Sequence, residues 1–144
     1  MKRVRGFSLV ELMVVLVIAA VLAGIALPAY THYLERSRRT AAIQGLLEIA
    51  SRQARYYAST NAYADKLSTL GYASDSVAVP SADAPYYLLS IASMTPAAGE
   101  EAAHFSLQAV PQGSQARDSC GSLGYSDLGL RSASADSVAA CWAS

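Results

Sequence analysis

The N-terminal thirty residues contain the feature that most restricts the fold of this chain. Residues 7–29 form an almost purely apolar run, interrupted near its start by Glu11. As an α-helix this run is roughly 35 Å long, which is enough to cross the hydrocarbon core of a bilayer. Two helix-weakening residues, Gly24 and Pro28, lie near its end. We therefore predict a membrane-spanning helix that carries one carboxylate and is kinked at residues 24–28.

The six residues before this run are basic and then apolar, as in a secretory signal peptide. However, the apolar run is too long for the hydrophobic region of a signal, and no small-x-small cleavage site follows it. Gly6 is the small residue at the junction between the basic and apolar parts. Cleavage after Gly6 would leave the hydrophobic helix on the mature protein and create a positive α-amine on Phe7.

Glu11 needs a partner, because a carboxylate inside a membrane span costs about 2–3 kcal/mol. The α-amine of a processed Phe7 lies four residues earlier, at the spacing of neighbours on one helix. An amine from an adjacent copy of the chain is a second possible partner. A third interpretation is that Glu11 lies at the helix end and reaches the interface. The residues alone leave these three alternatives open.

The segment "GFSLVELMVVLVIAAVLAGIALPAY" closely resembles the N-terminus of type IV pilins and of the related type II secretion pseudopilins. Shared features are a short basic leader ending in Gly, then Phe, a small hydroxyl residue, two apolar residues and Glu, followed by an apolar helix with a late Pro. The match covers residues 1–30 without a gap, with Ser8 where Thr is commoner.

This resemblance implies roles for single residues. A prepilin peptidase would cleave between Gly6 and Phe7 and methylate the new amine of Phe7. Glu11 would pair with the N-terminus of an adjacent subunit during filament assembly. Residues 24–28, with Gly24 and Pro28, would form a flexible part of the helix within the filament.

After Pro28 the pattern stays helical to about Ser59, with Glu48 and Arg52 paired at i,i+4. One apolar stripe is expected at helical spacing; it contains Ile43, Leu46, Leu47, Ala50, Ala54 and Tyr57. The predicted organisation is a leader (1–6), a hydrophobic transmembrane and assembly helix (7–29), its amphipathic continuation (30–59) and a globular head (60–144).

Alternating and apolar segments at 86–94 and 104–111 predict two strands joined by a hairpin loop, with a third strand at 123–128. One helical turn is expected at 64–70. A long kinked helix packed on a small antiparallel sheet is an α+β fold, a pilin-like roll.

Cys120 and Cys141 enclose a short polar segment of a membrane-tethered chain, which favours a disulfide on the oxidising side of the membrane. Two unrelated buried thiols are the alternative. The tail resembles the disulfide-bounded region of type IV pilins, and with "ASRQARYYASTNAYADKLSTLGY" it resembles minor pilins of the PilE and ComP type. Trp142 is expected to pack under this loop.

The sequence contains no recognisable catalytic set. His32 and His104 are far apart, outside any metal-ligand spacing, and both are interpreted as surface residues. There is no phosphate-binding loop and no nucleophile motif. The acidic residues of the head are scattered and interpreted as solvated. We expect no enzymatic activity, no cofactor and no metal.

Taken together, these features predict a type IV pilus subunit, a minor pilin that serves adhesion, twitching motility or DNA uptake. It would be a single-pass inner-membrane protein with a periplasmic head before assembly into surface filaments. Expected partners are other pilin subunits, the prepilin peptidase, the inner-membrane assembly machinery and, before assembly, membrane lipid.

Three alternatives to this interpretation are a type II secretion pseudopilin, a DNA-receptor pilin and a single-pass protein that never assembles. The cysteine pair argues against a pseudopilin. For nucleic acid the tail offers only Arg117 and Arg131, beside three acidic residues, Asp118, Asp127 and Asp136. Residues 40–144 contain five basic and nine acidic residues, so the head has no general attraction to nucleic acid.

Overall fold

The computed structural model describes residues 8–96 and 103–143. Its main elements are a 52-residue helix, α1 (Leu9–Thr60), and a five-stranded sheet. The chain divides into two compact units, Met1–Leu34 and Glu35–Ser144. The α+β class and the long N-terminal helix are as predicted.

The first unit consists of the apolar part of α1. Its large side chains are exposed along the helix, for example Leu9 at 74% and Ile25 at 68%. An 18-residue window of α1 has a mean hydropathy of 2.8, and none of it is buried, so it meets the length and composition of a membrane span. The backbone is helical without interruption through residues 24–28, and the kink at this point stays a prediction.

In the second unit, α1 packs against the sheet through one face. The residues buried there follow a 4, 3, 4 spacing: Ala42, Leu46, Ile49 and Gln53. The predicted stripe was wrong in part, because Leu47 is 41% exposed and Ala54 is also exposed. The small residue Gly45 explains which face is turned inward: a Cβ there would lie 2.5 Å from the Leu89 side chain. The helix therefore packs closely on the sheet at a residue without a side chain.

The sheet is an antiparallel meander in the order β1-β2-β3-β4-β5. Its strands are β1 (Val77–Val79), β2 (Tyr87–Pro96), β3 (Ala103–Pro111), β4 (Leu123–Ser126) and β5 (Arg131–Ala133). Alternate side chains on these strands point into the core, as predicted for β3; the buried ones are Tyr87, Leu89, Phe105, Leu107, Ala109 and Leu123.

Strands β2, β3 and β4 confirm the predicted ones, whereas β1 and β5 were not predicted. Each of those two contains three residues, too few to show an alternating pattern, and each is a strand only because it pairs with a neighbour. The predicted turn at 64–70 appears as a 3-10 helix, Ser68–Leu70. A second 3-10 helix, Gly113–Arg117, and a short helix α2 (Val138–Trp142) were also missed. The predicted hairpin loop lies mostly outside the described residues.

Candidate functional site

The head is closed by the predicted disulfide. Cys120 and Cys141 are bonded, with their Cα atoms 5.7 Å apart, and both residues are buried. The bond spans 21 positions and encloses β4, β5 and all but the last residue of α2. The alternative of two separate thiols is therefore wrong.

A buried polar network lies directly beside this disulfide, centred on the fully buried side chain of Asp118. Its carboxylate accepts hydrogen bonds from Arg39 (Nε, 3.0 Å), from the hydroxyl of Tyr87 (2.7 Å) and from Gln115 (Nε2, 3.0 Å). Arg39 donates a second bond through Nη2, which makes the ion pair bidentate. The backbone N–H of Cys120 also donates to Asp118, at 3.3 Å. The network thus joins the disulfide to α1 and β2.

These contacts change how the groups titrate. Burial is the main cause that raises the pKa of Tyr87 to about 12, and the neighbouring Asp118 carboxylate adds to it. Burial alone would raise the pKa of Asp118, but hydrogen bonds from Arg39 and Tyr87 outweigh it and lower that pKa below its usual value. The network is therefore a carboxylate, a guanidinium and a neutral phenol.

Gln115 also fastens the 3-10 helix Gly113–Arg117 to α1, because its Nε2 donates to the Glu35 carbonyl at 3.1 Å. Its Oε1 is buried and has no partner among the described residues. The sequence contained no signal for this network, whose members lie 79, 31 and 3 positions from Asp118. Interpreting Asp118 as a solvated carboxylate was wrong.

A second acidic residue of the tail is also paired. The Asp127 carboxylate lies 2.5 Å from Nδ1 of His104, and its side chain is only 8% exposed. His104 itself is half-buried near the start of β3. Interpreting Asp127 as solvated was therefore wrong too, and the pair ties β3 to the end of β4.

Trp142 packs inside the disulfide-bounded region, as predicted. It is 9% exposed, and its indole N–H donates to the Ser132 carbonyl at 3.1 Å. The Tyr125 ring lies 6.0 Å from it, and the Arg131 guanidinium lies 5.3 Å above its ring. The tryptophan thereby covers the edge strand β5.

Metal binding has one geometric candidate in the described part of the chain, formed by Cys120, Asp136 and Cys141. Both sulfur atoms are already joined in the disulfide, so neither is a thiolate ligand. One exposed carboxylate remains, and this arrangement has no physical basis as a metal site.

Three other predicted site residues, Glu11, Gly24 and Pro28, lie in the described part of the first unit. Glu11 is exposed in the first turn of α1, where the helix dipole favours a negative charge. Gly24 has open space around it. Gly6 and Phe7, the predicted cleavage and methylation residues, lie outside the described residues.

Two protein families match the chain. Residues 28–124 match the family described as type IV minor pilin ComP, DNA uptake sequence receptor. Residues 1–27 match the prokaryotic N-terminal methylation motif. Together the two matches cover the helix and most of the head.

Individual relatives resemble shorter parts. The type IV major pilin protein PilA of Myxococcus xanthus is 34% identical over 71 residues, which are 49% of this chain and 32% of that protein. Fimbrial protein Q of Moraxella bovis is 53% identical over 36 residues, or 25% of this chain and 23% of that one. The chain thus spans about a quarter to a third of the length of the curated relatives it matches.

A solved type IV pilin structure from Shewanella oneidensis is 32% identical, with a TM-score of 0.45, and the match covers 67% of this chain and 89% of that one. The family match at residues 28–124 extends over most of this sequence and agrees with the helix-on-sheet fold. The chain therefore belongs to the type IV minor pilin ComP family.

Proposed function

We propose that the chain is a minor subunit of a type IV pilus, held in the inner membrane by residues 7–29 until it is assembled into a surface filament. The observation that carries this proposal is the first half of α1, whose apolar side chains lie uncovered while the head has a complete core of its own. Such a helix is stable only in lipid or against other apolar helices. The two environments correspond to the states before and after assembly.

Processing at the N-terminus is part of the same proposal. The methylation motif at residues 1–27 supports cleavage between Gly6 and Phe7 by a prepilin peptidase, followed by methylation of the Phe7 amine. The mature chain would then consist of the assembly helix, its amphipathic continuation (30–59) and the head (60–144). We assign it no catalytic role.

Glu11 is the residue that sets the register between subunits in this proposal. Packing of the apolar helices removes its carboxylate from water, and this costs free energy unless a cation lies beside it. The N-terminal amine of an adjacent subunit supplies that cation at one relative position of the two helices. Residues 24–28, with Gly24 and Pro28, would let the packed helix bend.

The test is the substitution Glu11→Ala, with Glu48→Ala as the matched control because Glu48 is an exposed carboxylate on the same helix. We expect Glu11→Ala to be cleaved and inserted normally but to be at least tenfold depleted in sheared filaments, because it leaves the positive N-terminal amine of the adjacent subunit buried without its partner, at a cost of about 2–3 kcal/mol. Mass spectrometry of the filament fraction measures incorporation, and immunoblots of the membrane fraction measure cleavage and insertion. Normal incorporation of Glu11→Ala would contradict the register role.

The same filament sample distinguishes the kinds of subunit. A methylated peptide that begins at Phe7, at a low ratio to the main filament protein, identifies a minor pilin. A ratio near one would make this chain the main subunit. Processed protein found only in the membrane fraction would favour a type II secretion pseudopilin.

DNA binding by the head is a second proposed function, suggested by the description of the matching family as a DNA uptake sequence receptor. In the structure, Asp118 is paired with Arg39, and the Asp127 carboxylate contacts the His104 ring. The basic residues Arg117 and Arg131 of the tail have no ion pair with a carboxylate among the described residues. The tail is thus more favourable to a polyanion than its residue count indicates.

A gel-shift titration of the full chain in detergent tests this, with chromosomal fragments of the producing organism against unrelated DNA. We expect Arg117→Gln with Arg131→Gln to weaken binding and to reduce the salt slope by about two phosphate contacts. Unchanged affinity in this variant would contradict the assignment to the tail.

A further inference from the structure

Two arginines at the base of the head, Arg36 and Arg38, have no carboxylate partner among residues 8–96 and 103–143. Arg36 donates one hydrogen bond to the Ala143 carbonyl at 3.3 Å, and Arg38 donates one to the Ser114 hydroxyl at 3.3 Å. A guanidinium has five N–H donors, so most of theirs are unused in the described structure. Within the described part of the chain, these two charges therefore have no anionic partner.

The neighbouring arginines on α1 show that this is not a general property of the helix. Arg39 is paired with Asp118, and Arg52 is paired with Glu48 at 2.8 Å. Between residues 36 and 52 of α1, the arginines without a described acidic partner are thus the two at the beginning of the second unit. Arg55, which also has no described carboxylate partner, lies far along the helix.

The geometry of α1 places Arg36 and Arg38 on different sides of the helix, so they do not form one pocket. Residues two positions apart on an α-helix point about 200° away from each other. Arg38 extends over the ring of Tyr86, 3.8 Å from its centroid, and Arg36 extends towards Ala143 near the end of the chain. The two guanidiniums therefore lie on different sides of the same helix and contact different parts of the head.

Distance along the helix identifies the partner. Arg36 and Arg38 lie seven and nine residues beyond Ala29, the end of the apolar run. The rise of an α-helix over this many residues is about 10–14 Å. An arginine side chain that reaches back towards the apolar run shortens this distance, so its charge lies in the headgroup layer. Exposed Tyr30 and Tyr33 (60% and 68%) lie between, in the positions expected of residues at a membrane interface.

We propose that Arg36 and Arg38 form a headgroup collar that binds the phosphates of anionic phospholipids while the subunit waits in the membrane. This rests on the membrane-anchored state of the proposed function and adds a partner for that state. Guanidinium groups suit phosphate because they donate two parallel hydrogen bonds to it. The collar would hold the base of the head at the membrane surface and would release lipid when the helix leaves the bilayer.

The experiment is native mass spectrometry of the full chain released from micelles that contain equal amounts of POPG and POPC. We expect the wild type to retain POPG in preference to POPC. Arg36→Gln with Arg38→Gln should reduce POPG retention roughly thirtyfold, which corresponds to about 1 kcal/mol for each of the two arginines near a membrane surface. Arg55→Gln with Lys66→Gln removes the same charge from exposed positions further from the apolar run and should leave retention unchanged.

Arg36→Lys with Arg38→Lys changes the same two positions but keeps both charges. It should retain most of the POPG, so a loss seen only in the Gln variant is due to charge and not to misfolding. The mass of each variant reports whether the disulfide is intact. Equal retention of POPG and POPC by the wild type, or an equal loss in the Arg55/Lys66 control, would overturn the proposal.

A DNA arm distinguishes the lipid surface from a nucleic-acid surface. A short duplex is titrated into the same wild-type and variant samples. Loss of duplex binding in the Arg36/Arg38 variant, with POPG retention intact, would assign the surface to nucleic acid and overturn the proposal. Membrane insertion and filament incorporation of the same variants are scored separately, so failure of the collar and failure of the filament proposal give different results.

Discussion

The two units of this pilin use one helix in opposite ways. In the first unit the apolar side chains of α1 are exposed all round the helix, as with Leu9 and Ile25. In the second unit the same helix buries a single face that includes Ala42 and Leu46, and its other faces are polar or exposed. A helix with one apolar face is stabilised by its own chain, whereas a helix that is apolar all round needs lipid or other helices.

The charges differ in the same way. Glu11 in the first unit has no ion pair among the described residues, whereas Asp118 in the second unit is held by Arg39 and three further donors. A carboxylate without a partner in its own chain stabilises a structure only when another molecule supplies the cation. A fully paired one stabilises the arrangement that already exists. We therefore expect substitutions in the head to change its stability and those in the first unit to change assembly.

The largest effect should come from Asp118→Ala, which leaves Arg39 without its counter-charge beside the disulfide. Removing one partner of a buried ion pair costs about 3–5 kcal/mol. The free energy of unfolding of the head, from urea denaturation, measures it. Glu48→Ala breaks the exposed pair with Arg52 and should cost less than about 1 kcal/mol. Equal effects of the two substitutions would contradict the importance of the buried network.

The next largest effect is expected from Cys120→Ser with Cys141→Ser. A disulfide that spans 21 positions restricts the unfolded chain by about 3 kcal/mol on the chain-entropy model. The urea midpoint of the head should fall accordingly. Membrane insertion of the variant should stay normal, because the first unit does not contain the bond. A variant that loses membrane insertion but keeps its urea midpoint would contradict the assignment of the disulfide to head stability alone.

Two glycines of α1, Gly45 in the second unit and Gly24 in the first, allow the same substitution to be compared in the two units. Gly45→Ala places a Cβ about 2.5 Å from the Leu89 side chain and should destabilise the head by about 1–3 kcal/mol. Gly24→Ala meets nothing within 4 Å and improves helix propensity by about 1 kcal/mol. Thermal unfolding of the head distinguishes them: Gly45→Ala should lower the midpoint, and Gly24→Ala should leave it unchanged.

The smallest effect should appear in the pH dependence of the head. Because the pKa of Tyr87 is raised from 10.0 to about 12, its stabilising contribution is complete below pH 10 and is lost as the pH rises through about 12. Tyr87→Phe removes this titration, so the wild type should lose its advantage over the variant in that range. Thermal midpoints at pH 9 to 12 provide the measurement, and a constant difference would contradict the assignment.

At acidic pH the stability of the head should change in the opposite direction, falling as the pH is lowered. The pKa of Asp118 is lowered in the folded head, so its contribution is present above the unfolded value of about 4 and is lost as the pH falls below it. Asp118→Asn should remove this part of the acid dependence. An unchanged acid transition in Asp118→Asn would show that another carboxylate controls it.

Much of this protein follows from its sequence alone. The apolar run, the position of Glu11 within it and the alternation along β3 are local patterns that need no knowledge of the fold. The cysteine pair was also correctly predicted, since two cysteines that enclose a short polar segment of a membrane-tethered chain indicated a disulfide. These features were predictable because each depends on residues close together in the chain or on a single residue type.

Other features were decided only by the tertiary structure. The spacing of apolar residues on α1 shows that the helix has a buried face, but close approach at Gly45 determined that Leu47 and Ala54 lie outside it. Three-residue strands such as β1 became strands by pairing with β2. Arg39 and Asp118 are 79 positions apart, and no sequence pattern identifies them as partners. Periodicity is a local property of the chain, whereas the choice of face and of charge partner depends on contacts that exist only after folding.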